Sequence, residues 1–393
     1  MPTVSDDIRV QPSSRSLGIA ALFGRYRRTL GVYAASRLCV FVAAQAVGWL
    51  QPSWSVARVL NFWDGGWYIS IAEHGYPDTL DIQPGSNANH WAFHPFVPLT
   101  IRAVSTVTGL SSSTSAVLGS TVLGAIAFCL VRDLLGTVLA DQDADFGVDL
   151  LAFFPAAYVF SMGYTEPAFM LFAAASLLAV RREQWVLAGL MASGATLVRV
   201  PGLGVVAAVG VAAILAMRGG MGRRPLWALA LAPIGYLSWL AYQWKEIGTP
   251  RASLIAQEYW QGDFEFLTQP FRSAWRVLTY RDRWADGGDF GATIAVLIVA
   301  ASIVVVLRRW RAGQSVPVDW MVYSATAVVF AFTPSLPFSV LRYSMAAFPL
   351  WAVGASVIPS RARAIVLAAS AGLMCVFAMA IMLSPASPGL MYP

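Results

Sequence analysis

Mainly apolar runs of 16–22 residues recur along the chain, with its charge concentrated between them. A helix of about 20 apolar residues crosses a hydrocarbon core of ~30 Å. The pattern therefore predicts eleven spans, over 30–50, 113–131, 148–163, 166–180, 185–198, 202–217, 226–244, 290–307, 318–333, 343–358 and 364–383. Two long stretches, 51–112 and 245–289, interrupt the rhythm. No repeat of fixed period and no heptad is visible. The expectation is an all-α polytopic membrane protein, one integral domain over 1–393, with a short segment 1–29 ahead of the first span.

Composition agrees with this class. Hydrophobic residues are 57% of the chain, against ~45–50% in soluble domains. Charged residues are 12%, and the mean hydropathy is +0.61. A disordered chain, a disulfide-stapled secreted domain and an ordinary water-soluble enzyme are excluded. Cys39, Cys129 and Cys375 each fall inside an apolar run, which indicates neither a disulfide framework nor a metal cluster. The short apolar stretch Leu17–Phe23 lacks a small-residue cleavage site, so no removable signal peptide is expected.

The net charge of +6 comes from arginine dispersed in loops, with Lys245 the single lysine. Membrane topology accounts for that dispersal better than nucleic-acid binding does. With the N-terminus inside, 16 of the 27 basic residues lie inside, 10 outside, and Arg37 within the first span. Six of the outer ten sit in the long loop 245–289, where the bias is weak. Only the acidic segment Asp133–Asp149 runs against the trend. Both long loops then face outward, and a plasma membrane location with a cytoplasmic N-terminus is expected.

The first long loop carries the richest chemistry. NFWDGGWYISIAEHGYP (Asn61–Pro77) is followed by NANHWAFHPFVPL (Asn87–Leu99). Trp67 and Ile71, with Tyr68 and Ile69 between them, recur at helical spacing and predict an interfacial helix starting at Asp64. Trp54, Trp63 and Trp67 suit a membrane–water boundary. Asp64 reads either as a helix N-cap or as a general base at the membrane surface. Gly65 and Gly66 would let a substrate approach closely. Glu73 and His74 are solvated helix-end residues or groups near a substrate. His90 and His94 stand four apart, but Pro95 interrupts any helix there, so hydrogen bonding to a phosphate or sugar fits better than a metal pair.

Three further outward turns carry isolated charges beside span ends. They are Tyr164-Thr165-Glu166-Pro167, the turn at Arg199, and Leu341-Arg342-Tyr343. An arginine at a boundary either snorkels to headgroups or grips a phosphate. Within 245–289, GTPRASLIAQEYWQG (Gly248–Gly262) holds Gln257 and Trp260. The remainder, to Asp289, alternates charges of both signs and reads as a solvated outer surface.

At these residues the chain resembles the PIG-V mannosyltransferase family. The first-loop motif FWDGGWYISIAEHGYP with Trp-Ala-Phe-x-Pro-Phe carries the resemblance most specifically. FPAAYVFSMGYTEPAFMLF (Phe154–Phe172), TLVRVPGL (Thr196–Leu203), GTPRASLIAQEYW and LRYSMAAFPLW (Leu341–Trp351) follow in the family's order. The resemblance implies a GT-C fold and a polyprenyl-phosphate sugar donor. It also implies Asp64 as catalytic base, with Glu166, Arg199, Gln257 and Arg342 in the site.

The expected function is inverting transfer of a sugar, mannose by the resemblance, to a lipid or glycan acceptor on the outer face. Arg199, Arg342 and His94 would hold the donor phosphate. Trp63, Glu73, His74, His90, Tyr164, Glu166, Gln257, Trp260 and Tyr343 would line the substrate. No nucleotide, cofactor, divalent metal or nucleic acid is expected. The alternatives are a lipid or glycan transporter or flippase and a GT-C transferase of another sugar, such as arabinofuranose.

Overall fold

The computed structural model describes residues 19–80, 90–261, 266–280, 287–333, 337 and 339–386, which form helices and turns with no strand among them. Helix α1 (Ile19–Leu50) leads to α2 (Val56–Val59), α3 (Asp64–His74) and α4 (Phe96–Thr108) of the first loop. Next come α5 (Ser112–Leu135), α6 (Asp141–Ala152), α7 (Glu166–Arg181), α8 (Trp185–Val198) and α9 (Gly202–Arg218). Helices α10 (Leu226–Leu231), α11 (Ile234–Ile247), α12 (Ala252–Gln261) and α13 (Gln269–Thr279) precede the last group. That group is α14 (Gly287–Arg311), α15 (Val318–Phe332), α16 (Val340–Ser344), α17 (Phe348–Ala355) and α18 (Ser360–Leu383).

Among the described residues, four helices are long and apolar enough to cross a membrane unaided: Gly24–Leu50 of α1, α5, α14 and α18. They expose Leu38, Val42, Val122, Leu297 and Ile365 outward, as a chain in contact with lipid does. Helix α7 is buried along most of its length and packs between α5 and α8. Small residues allow the close approaches between helices. A Cβ at Gly235 would lie 2.1 Å from the Ser193 carbonyl oxygen, so α11 meets α8 backbone to backbone.

Three predicted spans are broken in the structure. The run 148–163 becomes α6 and a 3-10 turn (Ala157–Ser161), interrupted by Pro155. The run 226–244 divides into α10 and α11 at Pro233. The run 343–358 becomes the end of α16, a 3-10 turn (Met345–Ala347) and α17, with Pro349 in the first turn of α17. Proline removes a backbone donor and clashes with the preceding turn, while hydropathy alone reads straight through it.

Arg37 resolves the first of these breaks. It is 3% exposed and has no carboxylate partner among the described residues. Its Nη1 donates to the Ala157 carbonyl at 2.6 Å and its Nη2 to the Ala152 carbonyl at 3.2 Å. Tyr33 and Phe160 place their rings 5.1 and 5.7 Å from the guanidinium carbon. The buried cation thus satisfies one carbonyl at the C-terminus of α6, where the helix dipole also favours positive charge, and one in the 3-10 turn that follows.

The acidic segment that opposed the charge trend is neutralised by arginines. Asp133 pairs with Arg25 and Arg182, Asp141 with Arg132, Asp145 with Arg28 and Arg132, Asp149 with Arg28, and Asp143 with Arg363. These pairs gather the start of α1 and α18 and the ends of α5 and α7 at one end of the bundle. The first loop sits at the opposite end, since Asn61 donates to the Ser113 carbonyl at the start of α5. Helix α5 has 24 residues, so the two ends are about 36 Å apart. Exposed tryptophans mark both: Trp49, Trp244 and Trp275 at the first-loop end, Trp227 and Trp310 at the other. Such aromatic belts are typical of membrane boundaries.

Candidate active site

The site grows from a turn that is stitched to a neighbouring turn. Asn61 donates through Nδ2 to the carbonyls of Ala57 (2.6 Å) and Ser113 (2.9 Å), fixing residues 60–64 over the start of α5. Gly163 N donates to the Leu60 carbonyl at 3.2 Å, and Tyr164 Oη donates to the Phe62 carbonyl at 3.2 Å. Only glycine fits at 163, because a Cβ there would sit 2.3 Å from Asn61 Oδ1. This interlock brings Asp64, at the start of α3, beside Glu166, at the start of α7.

Trp63 takes φ +62°, ψ −122°, a conformation costing about 1–3 kcal/mol for a residue with a side chain. Its indole nitrogen donates to the Ile381 carbonyl near the end of α18 at 3.4 Å. Trp63 therefore acts as a support for the turn. Asp64 follows it as the first residue of α3 and does not cap the helix. Among the described residues its carboxylate accepts from Arg342 Nη1, at 2.9 Å.

Four charged side chains from separate segments meet here. Arg199 follows the last residue of α8 in an extended conformation and places Nη1 3.0 Å from Glu166 Oε1. Arg342, on α16, holds Nε 3.4 Å from the same oxygen and donates through Nη2 to Tyr343 Oη at 3.0 Å. Both guanidinium carbons lie within 5 Å of the Tyr343 ring centre, at 4.5 and 4.8 Å. The Tyr164 ring lies 4.9 Å from that of Arg342. Side-chain exposure separates the two acids: Asp64 is 24% exposed and Glu166 6%, with Arg342 at 5%. Glu166 also stands at a helix N-terminus, where the dipole favours its negative charge. Two carboxylates thus balance two guanidiniums, and Asp64 is the member open to solvent.

Tyr68 belongs to the same site, although the sequence did not single it out. It lies four residues after Asp64 and so on the same face of α3, and is buried. Burial first, and then the charge of Asp64, push its phenol well above the ordinary range, so it remains an O–H donor. The i, i+4 spacing from Asp64 on a predicted helix is the signal that marks it. Asn61 and Gly163 have no such signal in one dimension. Of the two glycines after Asp64, Gly65 is used for packing against Asn61, while a Cβ at Gly66 would meet only the Asn61 carbonyl oxygen, at an ordinary 3.9 Å.

Several predicted site residues have other employment. His94 is 2% exposed and donates from Nδ1 to the Thr196 carbonyl at 2.8 Å. Burial lowers its pKa to about 4, against the raising effect of that hydrogen bond, with Arg199 nearby lowering it further. Its single N–H is therefore spent on the C-terminal turn of α8, and the expected donation to a phosphate is replaced by positioning of the turn that carries Arg199. His90 Nε2 meets Ser70 Oγ at 2.9 Å, and its ring stands edge-on to Trp67. Glu73 and His74 are exposed at the far end of α3, about 14 Å along the helix from Asp64, and lie apart from the site. Gln257 donates to the Ala92 carbonyl at 3.3 Å, which braces the first loop against α12. The side chain of Trp260 lies outside the described residues.

No protein-family model matches the chain, and no curated protein sequence matches it. Two solved structures of the Archaeoglobus fulgidus oligosaccharyltransferase are similar in fold. One is tethered with an acceptor peptide containing the NVT sequon; the other, AglB, is in complex with an inhibitory peptide and a dolichol-phosphate. Each is 13% identical with a TM-score of 0.52, over 92% and 94% of this chain and 56% and 57% of the other. The chain spans a little over half the length of those proteins. The likeness concerns the fold: this is an all-helical membrane protein with a GT-C-like architecture.

Proposed function

We propose that the protein is a membrane glycosyltransferase that moves a sugar from a polyprenyl-phosphate donor to a lipid or glycan acceptor, inverting the anomeric centre. The observation that carries this reading is the meeting of Asp64, Glu166, Arg199 and Arg342 at one end of the bundle, with Asp64 the most exposed of the four. The fold supports it, since AglB is described in complex with a dolichol-phosphate.

In the reaction, an acceptor hydroxyl attacks the anomeric carbon and forms the new C–O bond. The bond from that carbon to the phosphate oxygen breaks, and the hydroxyl proton passes to the Asp64 carboxylate. Arg342 and Arg199 hold the charge that develops on the departing polyprenyl phosphate. Glu166, buried between the guanidiniums, keeps them aimed. Asp64 must release Arg342 for this to happen, because donor phosphate and Asp64 compete for one guanidinium. A donor phosphate that takes the guanidinium therefore leaves the Asp64 carboxylate open to the acceptor hydroxyl.

The resemblance to the PIG-V family favours mannose, with arabinofuranose as the competing sugar. The arginine bias favours the outer face of a plasma membrane. The test is reconstitution of the purified protein with polyprenyl-phosphate mannose and a lipid extract from its host, wild type against Asp64→Asn. Transfer by wild type, lowered at least about a hundredfold in the variant, is the expected result. Transfer unchanged in the variant removes Asp64 as base. Failure of wild type with this and other lipid-linked sugars moves the reading to a flippase.

A further inference from the structure

We infer that α13 lies on the bilayer surface at the active-site end, with its outward face covered by phospholipid. The sequence reads this stretch as a solvated outer surface; in the structure the exposed side of α13 carries an apolar stripe. Phe271, Trp275 and Leu278, spaced four and three residues apart, form one stripe of α13 and are 57%, 67% and 77% exposed. Phe266 and Tyr280 flank the helix, each 58% exposed. The opposite face buries Gln269, Pro270, Ser273 and Val277 and carries a polar network that half-exposed Arg276 completes. Ser273 donates to Asp289 Oδ1 at 2.6 Å, Arg276 Nη2 donates to the same oxygen at 2.6 Å, and Gln269 Nε2 donates to Ser273 Oγ at 3.0 Å.

The helix is thus amphipathic with its apolar side outward, clamped there by a buried polar network against the first turn of α14. In water that orientation would leave an aromatic stripe wet; against lipid it is the favourable one. What covers the stripe follows from its neighbour. Helix α14 is long enough to cross a membrane, and its exposed Leu297, Ile303, Val304 and Leu307 continue the apolar surface inward. Tryptophan and tyrosine are the residues suited to the headgroup level, and Trp275 and Tyr280 stand exposed on and beside this helix.

This surface reaches toward the site. A Cβ at Gly291 of α14 would meet Leu341 at 3.5 Å, next to Arg342. Lipid bound along α13 is therefore one helix away from the guanidinium. The inference itself does not depend on sugar transfer.

The test uses full-length protein in nanodiscs of phosphatidylcholine brominated at the 6,7 or the 11,12 position. The fluorescence of wild type minus that of Trp275→Phe gives the share of Trp275. We expect that share to fall by about half or more with 6,7-dibromo lipid, to fall less with 11,12-dibromo lipid, and to resist aqueous iodide. Quenching by iodide and not by either lipid would overturn the inference. Resistance to both would also overturn it, placing a protein partner on the stripe. Should Trp275→Phe fold poorly, a nitroxide on Leu278→Cys gives the same answer, with greater collision rates for oxygen than for a water-soluble nickel chelate expected.

Discussion

Replacing Asp64 with asparagine should tighten the binding of polyprenyl phosphate while slowing transfer at least about a hundredfold. The perturbation removes one of the two carboxylates facing Arg342 and nothing else. Arg342 keeps Glu166 at 3.4 Å and the Tyr343 hydroxyl at 3.0 Å, so it is not left alone in a buried place. The Asp64 pair spans 2.9 Å, with Asp64 24% and Arg342 5% exposed. Its worth therefore lies above the ~0–1 kcal/mol of a surface pair and below the ~3–5 kcal/mol lost on breaking a buried one. An intermediate value of about 1–2 kcal/mol corresponds to roughly 5–30-fold in Kd. Calorimetric titration of purified wild type and Asp64→Asn with a short-chain polyprenyl phosphate reads this directly, and a thermal midpoint confirms the fold. Sugar transfer by the same variant should fall by about 10²–10⁴. Equal or weaker binding by a well-folded variant would refute the competition between Asp64 and phosphate for Arg342.

Three further outcomes follow from the packing. His94 has a folded pKa near 4, below its ordinary 6.5, so between those values the unfolded chain takes up a proton that the native one refuses. Stability should then fall as pH drops from about 6.5 to 4, by up to about 1.4 kcal/mol per pH unit, and thermal midpoints of His94→Gln should lose that part of the slope. Arg37→Met leaves the carbonyls of Ala152 and Ala157 without their donor, at a cost of about 1–3 kcal/mol each when buried; an unchanged midpoint in detergent would deny Arg37 its role. Gly163→Ala places a Cβ 2.3 Å from Asn61 Oδ1, which should cost about 1–3 kcal/mol and lower transfer by displacing Asp64. Normal transfer by that variant would show that the Asn61–Gly163 contact does not set the position of the base.

Helices are legible in the sequence where polar residues punctuate the apolar runs. Helix α8 coincides with the predicted 185–198 because Gln184 and Arg199 bound it. Pro155, Pro233 and Pro349 are equally visible as residues, yet the runs stay apolar on both sides of each, and a hydropathy pattern does not register a missing hydrogen-bond donor. The charged members of the site are legible one by one, as ionisable groups at the ends of apolar runs. Their pairing is not, because distances between turns exist only after packing. His94 shows the same limit: residue type permits a phosphate ligand, and only its burial against Thr196 and Trp239 shows that its N–H is already committed.

The bond from Trp63 to the Ile381 carbonyl joins residues 318 apart in the chain. At about 5–20 residues per second, a ribosome makes α18 roughly 15–60 s after the segment that carries Asp64. Arg363, at the start of the same helix, closes the ion-pair cluster at the opposite end by reaching Asp143. The last described helix therefore fastens both ends of the bundle to its earliest parts. A nascent chain holds Asp64 without its final brace, and the turn that carries it takes its final shape only as a late step of biosynthesis.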